Sequence, residues 1–242
     1  MNPDEVAAMA RARADVLGQI ESACARVGRD PAGVQLIAVS KTVAPDRLRA
    51  AVGAGLEVLG ENRVQEALGK IGDVPGATWH LIGPLQSNKA RRAVEAFSMI
   101  QTVDTVELAQ RLDRLAAELR PGRPLPVLLQ VNVDADPAKA GFAPDELARV
   151  MPELLALPNL AIRGLMTVGR IVSEAEAARP TFAGLRTLSE RLRRVYPALG
   201  PALSMGMSDD YAVAVEEGAT MVRVGRALFG TRPGAATRGA AN

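Results

Sequence analysis

The sequence is poor in cysteine, histidine and aromatic residues, and each shortage excludes a kind of protein. Its 242 residues include one cysteine, one histidine and an aromatic fraction of 3%. The single cysteine, Cys24, excludes an internal disulfide and gives no metal site. Proteins that read nucleic acid commonly stack bases on aromatic side chains, so the aromatic shortage argues against that role. The core must therefore be built from alanine, valine, leucine and isoleucine.

The chain also lacks a strong excess of charge and a long hydrophobic run. Its 29 basic and 27 acidic residues give a net charge of +2, and no long basic block indicates a surface for a polyanion. No apolar run approaches the roughly 18 residues of a membrane span. The N-terminus carries charges where a signal peptide needs an uninterrupted apolar region. We therefore expect a cytoplasmic protein that binds neither nucleic acid nor membrane.

The chain does contain a regular alternation of strand-type and helix-type segments. Residues 4–27 have apolar residues at helical spacing and predict a leading helix, with Cys24 on its apolar face. Asp104 followed by Glu107 is typical of a capping box, and Gly218 is placed to end a helix. Strands are predicted at 34–40, 56–59, 78–82, 99–103, 126–133, 160–166, 202–205 and 220–224, and helices between them at 105–119, 144–156, 175–195 and 208–217.

Eight strands that alternate with helices predict an α/β fold with a parallel sheet. Eight such units in this length fit a single closed (β/α)8 TIM barrel with an extra N-terminal helix. An open, doubly wound sheet is the alternative, because periodicity alone cannot show that a sheet closes. No linker divides the chain, so we expect one domain over residues 1–233 and a disordered tail over 234–242.

One lysine stands at the end of an otherwise apolar strand. Lys41 directly follows the first strand in the stretch "LIAVSKT". Functional residues of barrels lie at the carboxyl ends of strands. A lysine amine is nucleophilic only when neutral, and desolvation at a barrel mouth favours that form and Schiff-base chemistry with an aldehyde or ketone. The alternative is a surface lysine that extends into solvent.

The last two predicted strands end in groups suited to an anion. "SMGMSDD" brings Ser204, Gly206 and Ser208, and "VRVGRALFG" brings Arg223 and Gly225. Hydroxyls and exposed backbone N–H groups bind phosphate, and barrels often bind phosphate in the loops after strands seven and eight. Because strand eight neighbours strand one in a closed barrel, these groups would face the lysine that follows strand one.

Two carboxylates argue against a phosphate there. Asp209 and Asp210 would repel an anion if they faced it, so we expect both to point to solvent. Ser208 could also be an ordinary helix N-cap.

Three further polar residues lie in or directly after predicted strands or loops of the same sheet. Asn62, after strand two in "GENRVQE", would lie at the same mouth and could donate to a ring oxygen or be a turn residue. His80 lies within strand three, which favours a hydrogen-bonded structural histidine. Lys139, after strand five, could attract an anion but has no identifiable partner.

Taken together, five stretches resemble the pyridoxal phosphate homeostasis protein family, whose fold is similar to the N-terminal barrel of alanine racemase. The resemblance runs from about residue 5 to residue 233. It is carried by "VSKT", "GENRVQE", "WHLIGPLQSNK", "GLMT" and "LSMGMSDDYAVAVEEGATMVRVGRALFG".

The resemblance implies the cofactor and its contacts. Pyridoxal phosphate would form a Schiff base with Lys41. Its pyridine nitrogen would meet Arg223, and Asn62 would lie beside its ring. The phosphate would lie among Ser204, Ser208, Gly225 and Arg226, with Gly206 in the same loop.

The chain departs from the family pattern in two places. Arg226 stands where a small residue such as threonine is usual, so a hydroxyl contact to phosphate is lost. After "GLMT" the family usually has an apolar residue and then proline, whereas Val168, Gly169 and Arg170 follow here. The second difference leaves the loop after strand six undetermined.

The identity of Arg223 favours binding over catalysis. An arginine can only donate, so it would keep the pyridine nitrogen unprotonated and make the ring a weak electron sink. Alanine racemase has a similar arginine but adds a catalytic tyrosine from a second domain of the partner subunit. We expect no such domain here, and neither Tyr196 nor Tyr211 follows a predicted strand.

We therefore expect a monomeric protein that stores, protects or delivers pyridoxal phosphate, with transient contacts to apo-enzymes that need it. The alternatives are an amino-acid racemase that uses Lys41 as its base and a Schiff-base aldolase. Aldolase barrels usually carry their lysine on a later strand.

Overall fold

The sheet closes on itself. In the computed structural model, which describes residues 2–169, 172 and 174–230, eight parallel strands form a barrel in chain order. The first and last strands pair over four residues, from Gln35 beside Met221 to Ala38 beside Val224. This closure confirms the predicted barrel and excludes the open sheet. The strands are β1 Gln35–Val39, β2 Val58–Glu61, β3 Thr78–Leu81, β4 Met99–Val103, β5 Leu125–Gln130, β6 Leu160–Met166, β7 Ala202–Ser204 and β8 Met221–Val224.

Helices surround the barrel and bury its outer face. The first of them packs against the helices that follow β1, β7 and β8. Its buried face includes Val16, Ile20 and Cys24, so the cysteine is a core residue as predicted. The helices are α1 Pro3–Arg26, α2 Pro45–Gly53, α3 Val64–Ile71, α4 Ala90–Ala96, α5 Val106–Leu119, α6 Pro144–Leu155, α7 Arg179–Val195, α8 Tyr211–Glu216 and α9 Arg226–Phe229.

Several predicted boundaries are wrong, among them those of the helix after β4, of β5 and of the helix after β7. The helix after β4 begins at Val106, and its cap is Thr105, whose hydroxyl accepts from the Leu108 N–H at 3.1 Å; Asp104 does not form the predicted capping box. β5 ends at Gln130, because the chain turns away and Val131 makes only an isolated bridge. The helix after β7 begins three residues later than predicted, at Tyr211.

Glycine ends α8 as predicted. Gly218 has φ +99°, a backbone region that favours glycine, and lies directly after the C-cap residue Glu217.

Two predictions fall wholly or partly outside the described residues. The tail over 234–242 lies outside them, and so does Arg170 in the loop after β6. Gly169 of that loop is described: a Cβ there would lie 3.4 Å from the Phe182 ring. Among the described residues, no helix combines the length and the apolar character that crossing a membrane requires.

Candidate functional site

Lys41 lies at the corner of a tight turn at the end of β1. The Val43 N–H donates to the Ser40 carbonyl at 3.0 Å, which makes Lys41 and Thr42 the two central residues of the turn. Thr42 has φ +65°. Positive φ at the second central position is typical of a type II turn, where glycine is the usual residue, and a β-branched residue there is strained. The half-buried Lys41 is therefore set at the barrel mouth by an unusual backbone conformation.

Barrel closure brings the loop after β8 to the same rim. A Cβ on Gly225 would lie 3.4 Å from the Val39 Cβ, two residues before Lys41. The Gly225 N–H donates to the Ser208 hydroxyl at 3.2 Å, so the loops after β7 and β8 meet here. The structure thus brings together the ends of β1, β7 and β8, as the sequence predicts.

The loop after β7 depends on a glycine. Gly206 has φ +89°, and a Cβ there would lie 2.5 Å from the Ala214 Cβ, closer than real Cβ contacts allow. Its carbonyl accepts from the Arg223 N–H at 3.1 Å, which joins this loop to β8. No side chain larger than hydrogen fits without displacing α8.

The two aspartates of "SMGMSDD" behave differently from each other. The carboxylate of Asp209 is exposed and pairs with the exposed guanidinium of Arg226. Asp210 is buried and accepts from the Met207 N–H at 2.6 Å, so the expectation that both carboxylates point to solvent is wrong for Asp210. Burial raises the pKa of the Asp210 carboxyl, against the opposing effects of the Met207 N–H and of Arg223.

Ser208 is not an N-cap. Its hydroxyl accepts from the Gly225 N–H, whereas Asp210 occupies the N-cap position of α8.

Arg223 lies inside the barrel and is 4% exposed. Its guanidinium donates to the Ser204 hydroxyl at 2.6 Å and to the Thr167 carbonyl at 2.9 Å. Burial lowers its pKa to about 10, and the negative charge of Asp210 opposes that shift. The guanidinium therefore stays charged at neutral pH and is fixed from two sides.

A chain of hydrogen bonds extends from Arg223 across the barrel interior. The Ser204 hydroxyl donates to the Gln101 Oε1 at 2.7 Å, and the Gln101 Nε2 lies 3.1 Å from the His80 Nδ1. His80 is a buried strand residue with a hydrogen-bond partner, as predicted. Gln101 and Thr167 were not anticipated. The signal was present for Gln101, because a glutamine inside the apolar strand "MIQTV" needs a buried polar partner.

A second cluster, in which Glu61 and Lys70 are buried and Glu66 is half-buried, lies under the Lys41 turn and was also not anticipated. Lys70, 8% exposed, donates to Glu61 at 2.6 Å, to Glu66 at 2.7 Å and to the Ser40 carbonyl at 2.9 Å. Burial raises the pKa of the Glu61 carboxyl, and Lys70 opposes that shift. For Glu66, burial is outweighed by hydrogen bonds from Lys70 and Thr42, and its pKa is lowered.

The remaining predicted residues lie near the same end of the barrel. Asn62 follows β2 as predicted; its N–H lies 3.2 Å from the Glu61 Oε2, and its backbone packs against Gly83, where a Cβ would lie 2.4 Å from the Asn62 carbonyl oxygen. Lys139, for which the sequence identified no partner, lies 3.6 Å from the Asp136 carboxylate and 3.9 Å from that of Asp134. Both carboxylates belong to the same loop after β5.

The site combines an amine, a hydroxyl, a backbone N–H and the exposed Arg226 guanidinium at the mouth with the buried Arg223 guanidinium inside the barrel. This donor set fits a ligand with a carbonyl and an anionic group. Within residues 2–169, 172 and 174–230, no three His, Cys, Asp or Glu side chains are grouped to hold a metal ion. The fold and site thus define a parallel (β/α)8 barrel with a lysine at its mouth and donors suited to an anion.

Comparison with known proteins agrees with this class. The family described as "Alanine racemase, N-terminal domain" matches residues 13–233. A pyridoxal phosphate homeostasis protein of Pseudomonas aeruginosa is 47% identical over 225 residues, covering 90% of this chain and 94% of that protein. One of Escherichia coli is 41% identical over 232 residues, covering 90% and 94%. The chain therefore belongs to the pyridoxal phosphate homeostasis protein family.

Solved structures agree in fold. PipY of Synechococcus elongatus, determined with pyridoxal phosphate bound, has a TM-score of 0.77 and 45% identity, covering 88% of this chain and all of that one. An alanine racemase of Clostridium difficile has a TM-score of 0.72 at 16% identity, covering 96% of this chain and 58% of the racemase. At that identity the racemase supports the barrel fold alone.

Proposed function

We propose that this protein binds pyridoxal phosphate at the mouth of its barrel and stores, protects or delivers it without efficient turnover. The observation that carries the proposal is the closure of β8 onto β1. It brings the Lys41 turn to the rim where Ser208 and Gly225 meet. The family relatives, named for pyridoxal phosphate homeostasis, and the cofactor-bound PipY structure support the same ligand.

Each residue has a distinct role in the proposal. The Ser208 hydroxyl, the Gly225 N–H and the Arg226 guanidinium hold the phosphate, and Gly206 gives their loop its shape. Because Asp209 already pairs with Arg226, the phosphate competes with that carboxylate for the guanidinium. Asn62 lies beside the ring.

Arg223 donates to the pyridine nitrogen in the proposal. Ser204 was expected to contact phosphate, but its hydroxyl is fully buried between Arg223 and Gln101. In the proposal it therefore orients Arg223.

Lys41 holds the cofactor covalently. Its amine would supply the nucleophile for an aldehyde of the bound cofactor. When bound, pyridoxal phosphate supplies an aldehyde for this link and a ring that can accept electrons.

Two features support binding without efficient turnover. Arg223 has no acceptor atom and stays charged, so it cannot share a proton with the ring nitrogen as a carboxylic acid would. The chain's one histidine and two tyrosines offer no acid or base at the site. His80 bonds to Gln101 inside the barrel, the Tyr211 hydroxyl donates to Gln19 of α1, and Tyr196 ends α7 at the opposite end of the barrel.

The proposal includes delivery by transient contact with apo-enzymes, from a monomer. Only Val27, Leu68 and Val195 are large exposed hydrophobic residues among those described, and they are scattered. Such a surface favours a monomer over a permanent assembly.

The proposal is tested by identifying the lysine that carries the covalent adduct. Purified protein loaded with pyridoxal phosphate should show the visible absorbance of a Schiff base, and borohydride reduction followed by peptide mass spectrometry should place the adduct on Lys41. Lys41→Ala should lose both signals. Lys89→Ala, which removes a lysine after β3, should keep them.

The alternatives give different results. Many D-alanine molecules formed per site from L-alanine would favour a racemase. A protein that takes up no pyridoxal phosphate would contradict both the carrier and the racemase.

A further inference from the structure

The ion cluster beneath the Lys41 turn contains one more carboxylate than is needed to balance the charge of its cation. Lys70 uses three donors: one to Glu61, one to Glu66 and one to the Ser40 carbonyl. Glu61 alone balances the ammonium charge, and it also accepts from the Ser40 hydroxyl at 2.9 Å. Charge balance therefore does not explain Glu66, because a second carboxylate beside one ammonium leaves a net negative charge; the Glu66 side chain itself is half-buried, with 27% of it exposed.

The additional contact of Glu66 is with the strained residue of the turn. The Thr42 N–H donates to the Glu66 Oε1 at 2.5 Å, and the same oxygen accepts from Lys70. Thr42 has φ +65°, which a β-branched residue adopts only when its surroundings enforce it. Since Lys41 precedes Thr42 in the turn, any relaxation of Thr42 moves the lysine backbone.

We propose that Glu66, anchored by Lys70, is a positioning residue that holds the Ser40–Val43 turn so that Lys41 is presented to the cofactor carbonyl. The inference rests on the proposed function. Glu66 lies in the first turn of α3, so the helix after β2 controls a lysine after β1. It acts on the lysine through the Thr42 backbone.

A double-variant experiment separates positioning from general support of the fold. Glu66→Ala removes the acceptor that holds Thr42. We expect it to weaken binding of pyridoxal phosphate about tenfold or more and to slow adduct formation. Both are measured from the absorbance of the adduct at Lys41. Thr42→Gly removes the need for the acceptor, because glycine adopts positive φ without strain. Glu66→Ala combined with Thr42→Gly should therefore bind within about threefold of Thr42→Gly alone.

Two further variants serve as conservative replacement and control. Glu66→Gln keeps a side-chain oxygen that can accept from the Thr42 N–H, so its binding should stay within about threefold of the wild type. Glu107→Ala removes an exposed acid from the first turn of α5 and should leave binding unchanged. Hydrogen exchange on the cofactor-free protein should show faster exchange at the Thr42 amide in Glu66→Ala than in Glu107→Ala.

The outcomes are distinguishable. If the wild type forms an adduct at Lys41 and Glu66→Ala binds equally well, or if Thr42→Gly fails to rescue it, the positioning role is overturned while the proposed function stands. If the wild type forms no adduct at Lys41, the proposed function and this inference both fail. Rescue by Thr42→Gly together with retention in Glu66→Gln supports the inference, because a defect in overall folding would not respond to a change of turn residue.

Discussion

The buried polar side chains inside this barrel are hydrogen-bonded to one another, although the surrounding core is aliphatic. Arg223, Ser204, Gln101 and His80 form a continuous chain in which each polar group meets another. Gln101 is oriented from both ends: its Oε1 accepts from Ser204, which leaves its N–H to face the His80 Nδ1. That arrangement requires a neutral histidine, because a protonated Nδ1 has no lone pair to accept with.

The neutrality of His80 predicts a pH dependence of stability. Burial lowers its pKa to about 4, whereas an unfolded histidine titrates near 6.5. Between these values the unfolded chain takes up a proton that folded His80 refuses, so stability falls as the pH falls from 6.5 to 4, by about 3 kcal/mol in total.

The His80→Gln variant isolates that contribution, because His80 is the one histidine of the chain. The free energy of unfolding in urea, measured for both proteins from about pH 7.5 to about pH 4, gives a wild-type minus variant difference. That difference should shrink by about 3 kcal/mol across the range. A difference that does not change with pH would show that burial does not depress the histidine pKa.

At the scale of elements, the loops at the barrel mouth are set by backbone geometry as much as by side chains. Gly206 with φ +89° lets the loop after β7 pass against α8, and its carbonyl accepts from the Arg223 N–H. Thr42 with φ +65° bends the chain after β1. Two of the strands that contribute to the candidate site, β1 and β7, are thus followed by a residue with positive φ.

Gly206→Ala should therefore destabilise the protein and the site together. The added methyl would lie 2.5 Å from the Ala214 Cβ and 2.9 Å from the Tyr211 Cα. Overpacking and backbone strain together should reduce the free energy of unfolding by about 2–5 kcal/mol. Because the loop carries Ser208, affinity for pyridoxal phosphate should fall as well. Urea unfolding and a cofactor titration measure the two effects.

Gly28→Ala is the matched control. Gly28 also has positive φ, +66°, but an added Cβ would meet nothing within 4 Å. The Gly28→Ala variant should lose about 1 kcal/mol of unfolding free energy, from backbone strain alone, and its affinity for the cofactor should be unchanged. If Gly206→Ala and Gly28→Ala lost the same free energy of unfolding, close packing of the loop between β7 and α8 would not contribute to stability.

At the scale of the whole molecule, the site joins the two ends of the sheet. β1 and β8 pair at residues 35–38 and 221–224, so forming the barrel mouth requires the chain to fold completely. A ligand held by groups on both strands binds the folded state and not the unfolded one. Such binding stabilises the whole domain by mass action.

Pyridoxal phosphate should consequently raise the melting temperature. At a free concentration about 100 times its Kd, the expected stabilisation is about 2.7 kcal/mol. For a domain of this size that corresponds to a rise of roughly 5–10 °C. Thermal unfolding followed by circular dichroism, at several cofactor concentrations, measures it.

Pyridoxal without its phosphate and the Lys41→Ala variant are the controls for that measurement. Each should give a much smaller rise at the same concentration, because one lacks the anion and the other the covalent link. An equal rise in Lys41→Ala would show that the stabilising site lies elsewhere on the molecule.

Much of the fold could be predicted because it depends on local patterns. The alternation of apolar strands with amphipathic helices, repeated eight times, indicates a parallel barrel, and residues at strand ends then share one rim. That rule led to Lys41, Ser208 and Gly225, which the structure brings to one mouth. The boundaries at Thr105 and Tyr211 were missed, because neighbouring polar residues offer equally good caps and only packing selects among them.

The sequence by itself therefore determined the alternation of eight strands with helices and the group of residues at the strand ends, since each follows from local periodicity and strand order. Closure of the sheet into a barrel was decided by the tertiary structure. Only the tertiary structure decided how buried charges are paired. The pairing of Lys70 with Glu61 and the chain from Arg223 to His80 join residues from different strands and helices, and Asp210 is buried by the elements packed around it. The reason is physical: whether a buried charge is tolerated depends on the partners that folding brings within hydrogen-bond distance, and spacing along the chain does not encode that distance.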